Sequence, residues 1–252
     1  MYRIKTRRSF VGNSAFITGG AKRIGRSIAL FLAQKGWNIA LHYNRSERDA
    51  EKTLQEIETF GVECSLFKAD LSDVRQVNNL AEKVILKYPD CSLLINNASI
   101  FKRAHFLDTD DDMFLKMFNI NYYTPFILMQ KFSQNAKKSN QQFHIINILD
   151  TKISRNHTPY FMYSLTKKSL ADLTLMAARD LGPQVRVNGI CPGLILPSAD
   201  SDAEGFERMK ENIPLKMTGN TDYITKAVEF LIENSFVTGE IIYIDGGEHL
   251  GS

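Results

Sequence analysis

Short apolar runs of strand character alternate with amphipathic helical segments from end to end of the chain, and this rhythm limits the fold more than any single motif. Residues 14–18 read as a first strand. Residues 24–35 then carry Ile24, Ile28, Phe31 and Leu32 on one helical face, and Gly36 ends the run. After a strand at 38–43, helix 47–60 places Ala50, Leu54 and Ile57 in register before Gly61. A third strand at 63–69 is followed by a helix with Ser72 as its N-cap, reaching Lys87. Residues 92–96 form a buried strand, and one long helix is predicted over 110–138, with Met113, Met117 and Phe118 at core spacing. Strand 144–149, a helix through Tyr163 and strand 185–190 follow. Segment 194–220 is a substrate-loop region with one or two short helices, and helix 221–234 and strand 241–244 close the chain. Parallel strands need crossover helices, so the pattern predicts an α/β, doubly wound, mostly parallel, Rossmann-like sheet in a single domain spanning 1–252.

Composition removes several classes of function. With 44 % hydrophobic and 23 % charged residues in 252, the chain has ample material for one buried core. A net charge of +3 is too small to point to nucleic acid or an anionic membrane. Cys64, Cys91 and Cys191 fit neither a disulfide framework nor a metal site, and read as buried small hydrophobes in a reducing compartment. His42, His105, His144, His157 and His249 show no ligand spacing, so no metal is expected. No apolar run approaches the roughly 18 residues of a membrane span. Residues 1–12 are basic without an apolar stretch behind them, which reads as a short solvated arm rather than a signal peptide. The expected location is the cytoplasm.

Chemistry-bearing residues gather at the predicted strand ends. Thr18, Asp70, Asn97 and Asp150 all fall there, and ligands of such sheets bind at the carboxyl ends of the strands. The turn from Thr18 through Gly25 lies between strand and helix, where glycines admit a pyrophosphate to backbone N–H groups. Arg23 replaces a middle glycine of the usual pattern, bringing a guanidinium toward phosphate or substrate. After the second strand, Asn44, Arg45 and Ser46 stand where an acidic residue would select NAD. A basic and hydroxylic cluster suits a 2′-phosphate, so the cofactor expected is NADPH. Tyr163 and Lys167, at i and i+4, share a helix face, and the ammonium is expected to lower the phenol's pKa. Asp150 ends the preceding strand and is expected to meet that phenol, with its own pKa raised by partial burial.

Taken together, the TGGAKRIG turn, Asp70 in KADLS, NNAS at 96–99, Asn121, YSLTK, CPG at 191–193 and the terminal DGG resemble the short-chain dehydrogenase/reductase family along nearly the whole chain. That family usually has serine where this chain has Asp150. The aspartate, with TGGAKRIGRS, LHYNRS and NNASIF, resembles the pteridine reductases and dihydromonapterin reductases. The resemblance implies Asp150, Tyr163, Lys167 and Asn121 as catalytic residues, Asn121 supporting a water near Lys167. It implies a cofactor held by Gly19, Arg23, Ile24 and Gly25 at the pyrophosphate, and by Tyr43, Asn44, Arg45 and Ser46 at the 2′-phosphate end. Asp70 and Leu71 would hold the adenine, and Asn97, Ala98, Lys167, Pro192 and Gly193 the remainder. Arg23, Ser99, Phe101, Asp150, Tyr163 and Leu194 would bind a pterin or folate substrate, with Phe101 stacked on its ring. A homotetramer is implied as well, with the long helix and the Tyr163 helix pairing between subunits. Two other readings stay open: a carbonyl or 3-oxoacyl-thioester reductase, with Thr151 replacing the serine, and a non-catalytic NADPH-binding regulator.

Overall fold

The computed structural model describes residues 13–156, 159–197 and 203–251, so the basic arm, His157 and part of the substrate-loop region lie outside the described residues. Its strands are β1 (Ser14–Ile17), β2 (Asn38–Tyr43), β3 (Cys64–Lys68), β4 (Cys91–Asn96), β5 (Phe143–Ile148), β6 (Val185–Pro192) and β7 (Ile241–Ile244). They form one sheet in the order β3-β2-β1-β4-β5-β6-β7, parallel throughout. The winding reverses between β1 and β4, which opens a crevice at the carboxyl ends of those two strands.

Successive strand residues point to opposite faces, so each strand feeds two cores. Helices α1 (Arg23–Gln34) and α2 (Glu47–Glu58) cover one face, where Ile28, Leu32 and Ile57 meet Ile17, Ile39, Leu41 and Ile95. On the other face α3 (Val74–Lys87) brings Val77 and Leu80 against Phe16 and Leu94. Further along, α4 (Asp111–Phe118), α5 (Thr124–Ser139) and α6 (Phe161–Leu181) follow, Phe132 of α5 stacking between Phe16 and Phe143. The short α7 (Ala203–Met209) precedes α8 (Thr221–Glu233), whose Ile224, Val228 and Leu231 complete the first face. Each such side chain contributes roughly 1.5–3 kcal/mol by leaving water. Among the described residues, no helix is long and apolar enough to cross a membrane.

Two expectations need correction. Asp73, not Ser72, caps α3: its carboxylate accepts the Arg75 N–H at 2.9 Å, while the Ser72 hydroxyl turns to Asp70 at 2.7 Å. The long helix over 110–138 is broken by a π turn, Asn119–Tyr123, between α4 and α5. Pro125 has no N–H to give the carbonyl four residues back, that of Asn121, and the Thr124 N–H reaches the Asn119 carbonyl five residues back. The wide turn accompanies a buried Asn121 on the inner side.

Candidate active site

Thr18 knots the end of β1 to the end of β4. Its hydroxyl oxygen accepts the N–H groups of Asn97 and Ala98, both at 3.0 Å. The Asn97 side chain returns two bonds, to the carbonyls of Thr18 and Gly19. Gly25 sits so close under this knot that a Cβ there would lie 2.3 Å from the Gly19 carbonyl oxygen, which only glycine tolerates. Arg23 begins α1 with φ of 55°, the left-handed conformation that glycine adopts freely. No side chain caps that helix at Lys22, so its first turn faces the crevice without an internal acceptor. Ile24, half-buried, packs beneath, and the exposed Arg23 guanidinium reaches the Leu196 carbonyl at 3.5 Å.

At the β2 end, His42 is a structural tie that spacing alone did not single out. Its Nδ1 accepts the Gly19 N–H and its Nε2 donates to the Ala69 carbonyl, each at 3.1 Å, and burial pushes its pKa down to about 4. Tyr43 donates to Glu47, and Arg45 is exposed beside the half-buried Asn44 and Ser46. Asp70 is held below the usual carboxylate range by the backbone and hydroxyl of Ser72, with Asn44 as a further donor. Leu71 is buried, and its carbonyl accepts the Thr124 hydroxyl.

A carboxylate, a phenol and an ammonium gather at the β5 end. Asp150 caps a 3₁₀ turn (Thr151–Ser154), one carboxylate oxygen accepting the Lys152 N–H at 2.8 Å. The other accepts the Tyr163 phenol at 2.7 Å, so the carboxylate and phenol predicted to meet are in direct contact. Lys167 is buried, donates to the Ile148 carbonyl at 2.7 Å and lies 5.9 Å from the Tyr163 ring centroid. The surroundings of the phenol shift it in the direction opposite to the expected acidification. Burial, and then the Asp150 charge and hydrogen bond, push the Tyr163 pKa up, since each disfavours the phenolate. Burial likewise brings Lys167 down to about 8. Asn121 binds neither: its side chain clamps Ile100 through the backbone N–H and C=O and donates to Thr166. It thereby fixes the loop carrying the exposed Ser99 and Phe101.

Phe101 is 43 % exposed and stacks on Tyr160 with centroids 4.5 Å apart. The Tyr163 ring meets it edge-on at 4.7 Å. Tyr160, missed in the sequence, is brought there by a bridge between Ala104 and Tyr160. Lys152 and Glu248 were also missed. Lys152 extends to Asp150, and Glu248 bonds to Thr151 from the C-terminal turn. Asp150 and Lys152 have the i, i+2 spacing of an Asx turn, which was the available signal. Pro192 ends β6 beside Ile244, and Gly193 lies against Asp245 and Glu248 so tightly that a Cβ would clash with both. Leu194 lines a separate cavity of about 210 Å³ with Ile213, Met217, Tyr223 and Tyr243, which Asp150 and Tyr163 do not reach. All three cysteines are buried and free.

A family model described as enoyl-(acyl carrier protein) reductase matches residues 19–249, from the phosphate turn to the C-terminal turn. The chain belongs to the short-chain dehydrogenase/reductase family. It is accordingly an NAD(P)-dependent oxidoreductase of that family. Among family members, the 3-oxoacyl-(acyl-carrier-protein) reductase FabG of Staphylococcus epidermidis is 30 % identical, over 95 % of this chain and 100 % of its own. Pteridine reductase 1 of Leishmania tarentolae is 28 % identical over 94 % of this chain and 96 % of its own. Among solved structures, FolM alternative dihydrofolate reductase 1 of Brucella canis, complexed with NADP, has a TM-score of 0.90 and 31 % identity, covering 97 % of each chain.

Proposed function

We propose that this reductase is an NADPH-dependent pteridine reductase of the cytoplasm. It reduces dihydropterins of the dihydrobiopterin or dihydromonapterin type to their tetrahydro forms, with dihydrofolate as a further substrate. The observation that carries the reading is the 2.7 Å bond from Tyr163 to a carboxylate, in a family that usually places serine there. A serine hydroxyl donates to a substrate carbonyl, whereas an ionised carboxylate only accepts and would repel an oxygen gaining negative charge. Reduction of a ring C=N bond has the complementary need: hydride goes to carbon and a proton to nitrogen.

The residues present fit NADPH. The Gly19–Gly25 cradle would be filled by any Cβ at Gly25, the α1 start is open to phosphate, and Arg45 with Ser46 suits a 2′-phosphate. When bound, the nicotinamide supplies the hydride. Lys167, fixed by the Ile148 carbonyl, would hold its ribose. Asp150, once it has taken a proton from solvent, passes that proton to the ring nitrogen as hydride reaches carbon, and the carboxylate left behind accepts from the Tyr163 hydroxyl and the Lys152 N–H. Tyr163 holds that carboxylate in place through its hydroxyl. Phe101 and Tyr160 offer the flat ring an aromatic wall.

Similarity to FabG supports a second reading, 3-oxoacyl-thioester reduction. Thr151 is a poor substitute for the serine, being buried and bonded to Glu248. Exposed Phe114, Leu115 and Phe126 on α4 and α5, with Leu165, Leu175 and Met176 on α6, support pairing of these helices in a homotetramer. The test is NADPH oxidation with dihydrobiopterin, dihydromonapterin, dihydrofolate and an acetoacetyl thioester. Turnover of the pterins is expected, falling about 100-fold or more in Asp150→Ala with NADPH affinity retained. Turnover of the thioester alone would overturn the proposal, and tight NADPH binding without any turnover would favour a regulator.

A further inference from the structure

Lys152 sits in the catalytic corner without belonging to any motif noted in the sequence. Its backbone N–H and its ammonium address the same Asp150 oxygen, at 2.8 and 3.7 Å. The ammonium also lies 5.3 Å from the Phe101 ring centroid and 5.5 Å from that of Tyr160. Its side chain is 22 % exposed and that of Asp150 18 %, so water screens this pair less than a surface pair.

Of the other groups facing Asp150, Lys167 also acts on it through its charge, but among the described residues Lys152 is the cation within ion-pair distance of its carboxylate. From α6, Tyr163 is neutral, and Lys167 donates to the Ile148 carbonyl and touches no oxygen of Asp150 among the described contacts. Cys191 of β6 is a buried thiol pushed up to about 12. Glu248, from the C-terminal turn, is a like charge when ionised, and its own pKa is raised by burial.

We infer that Lys152 is a positioning residue, a second lysine that fixes the Asp150 carboxylate and offsets its charge as the proton leaves. The inference rests on the reading of Asp150 and Tyr163 as the proton-delivery pair. A carboxyl group that gives its proton to a ring nitrogen becomes an anion between Glu248 and an aromatic wall. The Lys152 ammonium is the cation in contact with it there. Loss of that charge makes the carboxyl harder to ionise.

The test uses NADP-loaded protein with 13C-labelled aspartate carboxyls, the Asp150 signal being assigned by its disappearance in Asp150→Asn. In Lys152→Met that signal should titrate about half a pH unit or more higher than in wild type, whereas Lys152→Arg should titrate as wild type. The limb of kcat that follows Asp150 should move in the same direction, with NADPH affinity unchanged. An Asp150 signal that titrates identically in Lys152→Met and wild type overturns the inference. If the signal moves but the wild type turns over no pterin, the substrate assignment fails and the role of Lys152 stands. If Lys152→Met does not fold, the same comparison in Lys152→Gln decides.

Discussion

One imidazole, that of His42, ties the phosphate turn to the loop after β3, and it does so only when neutral. Protonation of Nδ1 would turn an acceptor into a second donor facing the Gly19 N–H. With the folded pKa at about 4 and the unfolded value near 6.5, the folded state binds fewer protons between those limits. The resulting stabilisation is complete above pH 6.5 and disappears as pH falls toward 4. Its size is about 3 kcal/mol, at 1.36 kcal/mol per pKa unit. Urea unfolding midpoints should drop across that window in wild type and drop less in His42→Gln. Equal slopes in the two proteins would rule the linkage out. Of the strand-end residues Thr18, Asp70, Asn97 and Asp150, the alternation of elements made two contacts legible: Thr18 meets Asn97, and Asp150 meets Tyr163 of the following helix. The phenol's acidity was not legible, because spacing gives the neighbouring charge but not the depth of burial. Arg23 shows the same limit, since a residue in place of glycine does not reveal whether the backbone kept glycine's conformation.

Between residues and fold, the π turn between α4 and α5 has the largest effect on the site. Apolar spacing continued through it, so the sequence read as one helix. Pro125 was the available sign of a break, and the docking of Asn121 onto Ile100 is a tertiary contact that no local pattern records. Asn121→Ala would strip three hydrogen bonds from a site 1 % exposed and leave Ile100 and Thr166 short of partners. The expected loss is about 3 kcal/mol in urea unfolding. Pterin KM should also rise, because the Phe101 loop loses its clamp. A variant as stable as wild type with unchanged KM would show that the loop holds itself. The Ser72 misreading is of the same kind: two adjacent residues were both good caps, and Asp70 captured the serine first.

For the whole molecule, the seven strands and their parallel pairing followed from repetition of one unit, whereas their order is set by tertiary packing that the repetition does not record. Assembly depends on surfaces. Met176 is 70 % exposed on α6, in company with Leu175 and Leu165, and α4 and α5 present Phe114, Leu115 and Phe126. Exposed apolar groups of this kind are what the proposed pairing of copies would cover. Light scattering at micromolar concentration should give about four chain masses for wild type and a smaller species for Met176→Glu. A monomeric wild type would dismiss the tetramer.

The aromatic wall has a thermodynamic corollary. Phe101 already rests on Tyr160 and meets the rim of Tyr163, so its ring is not a bare shelf. For a planar guest, affinity measures the difference between the stack it makes and the stack it breaks. Trimming Tyr160 to a small residue would therefore weaken the host and, for a large enough ring, tighten the embrace.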